Sequence, residues 1–375
     1  MVPNLRFSYK GDWSKRKLNE ICLFFKGNGL SKSELSNEGF PCILYGELYT
    51  TYKNEVISDI ISKTNTTLSN PFLSRNNDLI IPGSGEDPID IAVARAIYQN
   101  DIILGGDLNI LRPKSNVSAA FLSYQLNGVR RYDIAKKAQG KSIVHLHNSD
   151  LKEVLVSIPS YDEQLHIVKL LTKIDEMIET QSKIINDYKL LKKYITKSFI
   201  KQKGTSYLLS EIAELGRGRV ISSAEISKQK NPIYPVYSSQ TSNNGVMGYL
   251  DNYDYEGEYI TWTTDGANAG TVYYRNGKFN CTNVCGILKI KNGYDAYYIS
   301  NILNCHTKKY VSTNLANPKL MNNVMANIKI NLPSIERQKY FSNILKAIEY
   351  RVKIEQDIKL NLAKQKVFLL KNMFL

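Results

Sequence analysis

After Pro159, apolar residues recur every three or four positions, at Ile167, Leu170, Ile174, Met177, Ile184, Tyr188, Leu191 and Ile195, with Gln181 as the polar interruption. The same spacing returns after Pro333 at Phe341, Ile344, Ile348, Val352, Ile358, Leu362, Leu369 and Met373, where Glu355 stands in the place of Gln181. This is the stripe of a coiled coil, and neither run contains Pro or Gly. Each run spans about 40 residues, so two helices roughly 60 Å long are predicted. A lone helix with one bare apolar stripe is unstable in water, which makes each helix the other's natural partner. Antiparallel pairing follows if the flanking regions are related by an approximate two-fold axis.

Those flanking regions have shorter, mixed patterns. Asp78-Leu79-Ile80-Ile81-Pro82 before Gly83-Ser84-Gly85, and Glu258-Tyr259-Ile260-Thr261-Trp262 before Asp265-Gly266, read as strands entering Gly-rich loops. Further strands are predicted at Thr271 to Tyr274, before an Asn276-Gly277 turn, and at Val284 to Ile290. Ala119 to Leu126 and Ala296 to Leu303 read as short helices. The expected class is α+β, with a twisted sheet in each region.

The pattern is duplicated. Val154-Leu155-Val156-Ser157-Ile158-Pro159-Ser160 returns as Ile328-Lys329-Ile330-Asn331-Leu332-Pro333-Ser334, and Gln164, Ile174 and Ile178 return as Gln338, Ile348 and Val352, all at an offset of 174. At the other end of each copy, Leu18-Asn19-Glu20-Ile21 matches Leu209-Ser210-Glu211-Ile212, Gly27 matches Gly218 and Ser31 matches Ser222, at an offset of 191. The second globular half is therefore 17 residues shorter inside. Length differences collect in loops, where binding surfaces vary on a fixed scaffold. The expected division is a globular half over 1–158, a helix over 159–203, a second half over 204–332 and a second helix over 333–375.

Charge narrows the partner. The chain has 49 Lys and Arg against 35 Asp and Glu, a net +14, which suits a polyanion bound through counterion release from phosphates. Its 25 tyrosines suit polar interfaces and sheet surfaces alike. Five cysteines without CxxC spacing, no signal peptide at the start and no run of about 18 apolar residues lead to the expectation of a soluble, cytoplasmic protein.

The candidate chemistry is sparse. Asn231-Pro232-Ile233-Tyr234 approaches the Asn-Pro-Pro-Tyr motif of amino-methyltransferases, but Ile replaces the third residue and no Gly-rich cofactor loop precedes it, so it reads as a turn into a strand. Asp265-Gly266-Ala267-Asn268-Ala269-Gly270 lacks the Gly-Lys-Ser/Thr ending of a phosphate loop. Cys281, Cys285, Cys305 and His306 match no zinc spacing and read as buried thiols, while His145, His147 and His166 have no companion nucleophile. No catalytic residue, metal site or cofactor site is predicted. The candidates for DNA contact are polar and basic residues in loops, where Arg and Lys reach phosphates or guanine and Asn and Gln pair with adenine. In the first half these are Lys26, Asn28, Arg75, Ser84, Arg130, Arg131 and Lys141; in the second, Arg217, Arg219, Gln240, Asn243, Asn244, Thr264, Asn268, Lys308 and Lys319. The expected helix-packing residues are Ile167, Leu170, Ile174, Ile184, Leu191, Phe341, Ile348, Val352, Leu362 and Leu369.

Pro3-Asn4-Leu5-Arg6-Phe7 with Trp13 and Leu18-Asn19-Glu20-Ile21, followed by Ile158-Pro159-Ser160-Tyr161-Asp162-Glu163-Gln164, resembles the specificity subunits of type I restriction-modification systems. Leu332-Pro333-Ser334-Ile335-Glu336-Arg337-Gln338 repeats the later signature, with Arg337 where Glu163 stands. The resemblance covers the whole chain. It implies two mixed α/β target-recognition domains separated by two long helices forming an antiparallel coiled coil, a pseudo-two-fold tandem repeat. It further implies a non-catalytic subunit that reads an asymmetric bipartite site in double-stranded DNA. Two modification subunits would dock on the helical region and carry S-adenosylmethionine, and restriction subunits would use ATP and Mg, leaving this chain without a cofactor. The alternatives are an autonomous methyltransferase or nuclease built on Asn231 to Tyr234, and a coiled-coil interaction protein whose charge is incidental.

Overall fold

A computed structural model describes residues 2–67, 69–312 and 317–375. The chain forms two compact units, one of Met1–Ser182 with Gln356–Leu375 and one of Lys183–Glu355. Four helices carry the description that follows: α1 (Ala119–Asn127), α2 (Tyr161–Ile200), α3 (Ala296–His306) and α4 (Ile335–Asn372). The two long ones begin and end within a few residues of the predicted runs.

In the first unit a five-stranded sheet has the order Cys22–Lys26, Leu108–Pro113, Asp78–Pro82, Arg95–Ile97, Val56–Ile57, antiparallel except for its last pair. Helix α1 starts at Ser118, whose hydroxyl accepts from the Phe121 N–H at 3.3 Å. Eight of its nine residues are buried, and Ala119, Ala120 and Leu122 share a core with Leu79, Ile81, Leu111 and Val156. A smaller four-stranded sheet, in the order Ile103–Leu104, Phe40–Ile43, Lys63–Thr64, Leu35–Ser36, lies in the same unit.

In the second unit the order is Ala213–Arg217, Cys285–Ile290, Tyr255–Thr263, Val272–Cys281, Tyr234–Tyr237, Val246–Leu250, with one parallel pair. Asp295 caps α3 by accepting from the Tyr298 N–H at 2.7 Å, and α3 packs Tyr298, Ile299 and Ile302 against Ile260, Trp262 and Leu288. The Asn276-Gly277 turn predicted from sequence is instead a bend inside one long strand. Gly277 lies opposite Gly257 and both adopt φ of 106°, a conformation that costs glycine little and lets the hairpin curl.

The duplication is structural. Ser14–Lys17 pairs antiparallel with Leu155–Ile158, and Thr205–Leu208 pairs with Lys329–Leu332 in the same register, Ser14 opposite Ile158 and Thr205 opposite Leu332. The offsets between these ladders are again 191 and 174. Register places the missing 17 residues. Phe24 matches Leu215 at 191, Leu79 matches Ile260 at 181, Leu111 matches Leu288 at 177, and the offset is 174 by Ile158 and Leu332. The largest loss falls in the stretch that carries the small four-stranded sheet of the first unit.

The helices pair antiparallel within each unit. In the first, Asp175 of α2 meets Lys366 of α4 at 2.6 Å, and Ile167 and Ile174 pack with Leu369 and Met373. In the second, Phe199 stacks on Phe341 with ring centroids 3.8 Å apart, and Lys192 pairs with Glu349. Of the expected packing residues, Ile167, Ile174, Phe341, Ile348, Leu362 and Leu369 are buried, while Leu170, Ile184 and Val352 are half-buried. Leu191 is 44% exposed, and Leu171 and Ile185 are buried beside Leu170 and Ile184, as is Phe199 further along the helix. The buried stripe is wider than a two-helix seam because the same helix also faces a globular domain: Leu171 joins Phe121 and Tyr124 of α1 in one cluster. Among the described residues no helix is long and apolar enough to cross a membrane.

Candidate nucleic-acid interface

At one end of each main sheet the same junction is built twice. In the first unit Lys26 ends the first strand, the Gly83 N–H donates to the Asp107 carbonyl at 2.5 Å, and the Leu146 N–H donates to the Gly83 carbonyl at 2.9 Å. The Asn148 amide reaches the Phe25 carbonyl at 3.0 Å. In the second unit Arg217 ends the equivalent strand, Thr264 N–H donates to the Val284 carbonyl at 3.3 Å, Leu320 N–H donates to the Thr264 carbonyl at 2.8 Å, and the Asn322 amide reaches the Gly216 carbonyl at 3.2 Å. Every contact is matched by a residue at the local offset. Gly27 and Gly218 follow the first strands, and a Cβ on either would lie 2.0 Å from a carbonyl oxygen, of Gly105 and of Cys281 respectively. Only glycine allows that approach.

What differs is the set of side chains the junction holds. In the first unit Lys26, whose ammonium pKa is lowered by burial, stands beside Gly83. Ser84 is buried and donates to Asp107 at 3.1 Å, and its strand pairs with His145. His145 and His147 are exposed and stacked, ring centroids 6.1 Å apart. His145 also bridges Gln139, and exposed Lys141 lies in the turn that this bridge closes. In the second unit the places of Ser84 and His145 are taken by Asp265 and Lys319, which bridge through their backbones and pair at 3.5 Å. Thr264 is fully buried and donates to the Val284 carbonyl at 2.9 Å. Lys308 donates to the Ala269 carbonyl at 3.2 Å and Asn268 to the Thr241 hydroxyl at 3.1 Å, so both join the same loop cluster.

The remaining candidates lie apart or are already engaged. Asn28 pins the adjoining segment, donating to the Asn70 carbonyl at 2.9 Å and accepting from the Phe72 N–H at 2.9 Å. Arg75 is exposed beside Asp78, at the opposite end of the strand from Pro82. Arg130 donates to the Leu375 carbonyl at 2.8 Å and Arg131 to the Ile89 carbonyl at 3.0 Å. Arg217 donates to Asn322 at 3.1 Å and remains exposed. Arg219 is held by Glu225 at 2.6 Å and Asp254 at 3.1 Å, and its hydrogen bond to Glu225 raises its pKa. Gln240 donates to the Val246 carbonyl at 2.5 Å; Asn243 and Asn244 are exposed in the turn between them.

Sequence reading passed over Arg275, Asn148 and Asn322. The two asparagines stand 174 residues apart and could have been found from the repeat. Arg275 lies within a strand next to Tyr273 and Tyr274 and carries no local signal. Asn231 to Tyr234 is a turn into a strand: the Asn231 N–H donates to Asp251 at 2.8 Å and Ile233 N–H to the Leu250 carbonyl at 3.1 Å. Cys281 and Cys285 are buried, but Cys305 is exposed, correcting the expectation of a third buried thiol: it is the last residue but one of α3, beyond the stretch that packs Tyr298, Ile299 and Ile302 into the core. Among the described residues no three His, Cys, Asp or Glu side chains gather to hold a metal ion.

The signature Pro-Ser-x-x-x-Gln is explained by its last residue. Gln164, fully buried in the first turn of α2, accepts from the Ser118 N–H at 2.9 Å and donates to the Pro159 carbonyl at 3.1 Å. Gln338 accepts from the Asp295 N–H at 3.0 Å and donates to the Pro333 carbonyl at 2.8 Å. Each glutamine thus ties a long helix to the N-terminal cap of the short helix in its own unit. The unmatched position, Glu163 against Arg337, has another use: Glu163 receives both arms of Arg6, at 2.6 and 2.7 Å, and the Trp13 indole N–H at 3.2 Å.

Comparison with known proteins agrees with this architecture. The model of the type I restriction modification DNA specificity domain matches residues 10–189 and 204–364, one copy in each half of the chain. A putative type I specificity subunit N-terminus from Mycoplasma pneumoniae is 44% identical over 142 residues, 37% of this chain and 75% of the relative. Another putative type I specificity subunit from that organism is 36% identical over 216 residues, 55% of this chain and 80% of the relative. The matched segment spans only 43% of a third, the type I restriction enzyme MpnII specificity subunit, at 42% identity and 38% of this chain. Among solved structures, the S subunit of a type I restriction-modification system from M. genitalium superposes with a TM-score of 0.68 at 18% identity, covering 100% of this chain and 99% of that one.

Proposed function

Since the chain belongs to the family of the type I restriction modification DNA specificity domain, we propose that it is the DNA-recognition and scaffold subunit of a type I restriction-modification complex, itself non-catalytic. Residues 1–158 read one half of an asymmetric bipartite site and residues 204–332 the other, while 159–203 and 333–375 form the spacer helices. Two modification subunits dock on the helical region and supply S-adenosylmethionine for adenine methylation. Restriction subunits with ATP and Mg complete the assembly, which works in the cytoplasm. The observation that carries this reading is the duplicated junction. One backbone frame holds Lys26, Ser84, His145 and His147 in one unit and Arg217, Thr264, Asp265 and Lys319 in the other, which suits two half-sites of unlike sequence. Cations at the strand ends take phosphates, and loop side chains meet base edges.

Co-expression with its modification partner is expected to methylate adenine in one motif split by an unspecified spacer. Replacing residues 1–158 with the corresponding segment of another family member should change one half of that motif and leave the other. A continuous motif, or no motif with an active partner, overturns the proposal.

A further inference from the structure

The second unit contains a strained turn with no counterpart among the described residues of the first. Asn243 and Asn244 adopt φ of 47° and 53° and Gly245 follows at 85°, three consecutive left-handed residues. Asparagine tolerates that region better than other side-chain-bearing residues, yet such a run persists only when its surroundings fix it. Three hydrogen bonds do so. Arg275 donates to the Asn244 carbonyl at 2.9 Å, the Ser238 N–H donates to the Gly245 carbonyl at 2.9 Å, and Gln240 donates to the Val246 carbonyl at 2.5 Å. A Cβ on Gly245 would lie 3.0 Å from the Arg275 guanidinium.

Arg275 is an expensive support. It is 4% exposed, and among the described residues it pairs with no carboxylate. Its guanidinium lies 3.6 Å from the Tyr237 ring centroid and 4.4 Å from that of Tyr273, and its Nε donates to the Thr261 hydroxyl at 3.2 Å. Burial lowers its pKa, but a guanidinium keeps its proton in proteins, so the two π faces and two oxygens must hold a buried cation. The gain is a rigid fork that ends on the carbonyl of the strained residue.

The turn presents free amides. Asn243 and Asn244 are both exposed, and the Asn244 side chain makes no hydrogen bond among the described residues; that of Asn243 only grazes the Val246 carbonyl at 3.5 Å. Thr241, just before the turn, receives Asn268 of the Gly-rich loop, whose next residue receives Lys308. The turn is thereby joined to the loop cluster that carries Lys308 and Lys319. We propose that Asn243 and Asn244 read adenine in the second half-site and that Arg275 is their buried positioning residue. The proposal rests on the reading of this chain as a DNA-recognition subunit. An asparagine amide offers the donor and acceptor that match adenine N7 and N6 in the major groove, and a pre-shaped turn loses little entropy in presenting them.

The test uses the full chain with its modification partner on duplexes carrying its own site, with each base pair of both halves varied in turn. Asn243→Gly/Asn244→Gly keeps the left-handed backbone while deleting both amides. It should lower discrimination at one or two base pairs of the second half-site by about tenfold or more and leave the first half-site unchanged. Arg275→Met should lower discrimination at the same base pairs, with the slope of log affinity against log salt unchanged, because a buried arginine neutralises no phosphate. Unaltered base preference in the glycine pair with normal circular dichroism overturns the inference, as does a salt slope reduced by about one in Arg275→Met. So does a change confined to assembly with the partner subunit. If the unsubstituted complex shows no sequence preference in either half, the DNA-recognition reading itself fails.

Discussion

At the 174-residue offset Asp175 corresponds to Glu349 and Lys366 to Lys192, and in each unit the lysine of one long helix meets the acid of the other. The surroundings are unequal. In the first unit Lys366 lies between two buried carboxylates, Asp175 and Glu55, each at 2.6 Å, with side-chain exposures of 15%, 6% and 8%. The Tyr124 hydroxyl donates to Asp175 at 2.7 Å. In the second unit Lys192 and Glu349 are 28% and 47% exposed. A repeat can thus preserve a contact while changing what the contact is worth. Where charges are buried, the pair fixes how the domain sits on its helices; where they are wet, packing such as Phe199 on Phe341 must do it.

The comparison is broken most severely at Lys366. Lys366→Met strands two buried carboxylates, and loss of one partner of a buried ion pair costs about 3 to 5 kcal/mol. Lys192→Met breaks an exposed pair and should cost at most about 1 kcal/mol. Denaturant unfolding of the two variants, with hydrogen exchange to assign the loss to a unit, measures the difference. Similar losses would mean that the triad is no tighter than its exposed counterpart.

A smaller asymmetry lies at the start of the long helices. Arg6→Met leaves Glu163, with 1% of its side chain exposed, the Trp13 indole as its one remaining carboxylate partner among the described residues, and should cost about 2 to 3 kcal/mol. Arg337, at the matching position, is exposed and donates to Gln202 at 3.2 Å. Arg337→Met should change stability by less than about 0.5 kcal/mol. Thermal unfolding of both variants checks this, and a large loss at Arg337 would show that the second helix depends on the cation there.

The parts of this fold that were legible in the sequence were those governed by period and by copying. The strand Asp78–Pro82 and the helices α1 and α3 follow from local apolar pattern, and the two ladders reproduce the two offsets read from residue identity. Three kinds of feature were hidden. The faces of α2 that turn toward α1 depend on a third packing partner, so Leu171 is buried where Leu170 was expected. The bend at Gly257 and Gly277 depends on two glycines far apart in sequence meeting across a hairpin. Among the candidate site residues, exposure and prior engagement are tertiary properties: Lys141 and Asn244 are exposed, whereas Thr264 is fully buried. The same blindness applies to Arg275, whose role depends on Tyr237, 38 residues away.

The finest test is one in which the two units should differ least. Gln164 and Gln338 are 0% and 2% exposed, and each bridges a short-helix cap and a proline carbonyl through matched hydrogen bonds. Replacing either by Leu leaves a buried N–H and a buried carbonyl unpaired, at about 2 kcal/mol. The loss at Gln164 should exceed that at Gln338 by up to about 1 kcal/mol, for its further bond to the Asn116 carbonyl at 3.2 Å, and the two should add in the double variant, since no group is shared between them. Losses this close, measured by denaturant unfolding, would make the glutamine a fixed part of the repeated frame, independent of the charge around it. A loss at Gln164 much larger than at Gln338 would instead tie its contribution to the neighbouring Glu163 and Arg6, and the frame would be less uniform than its geometry.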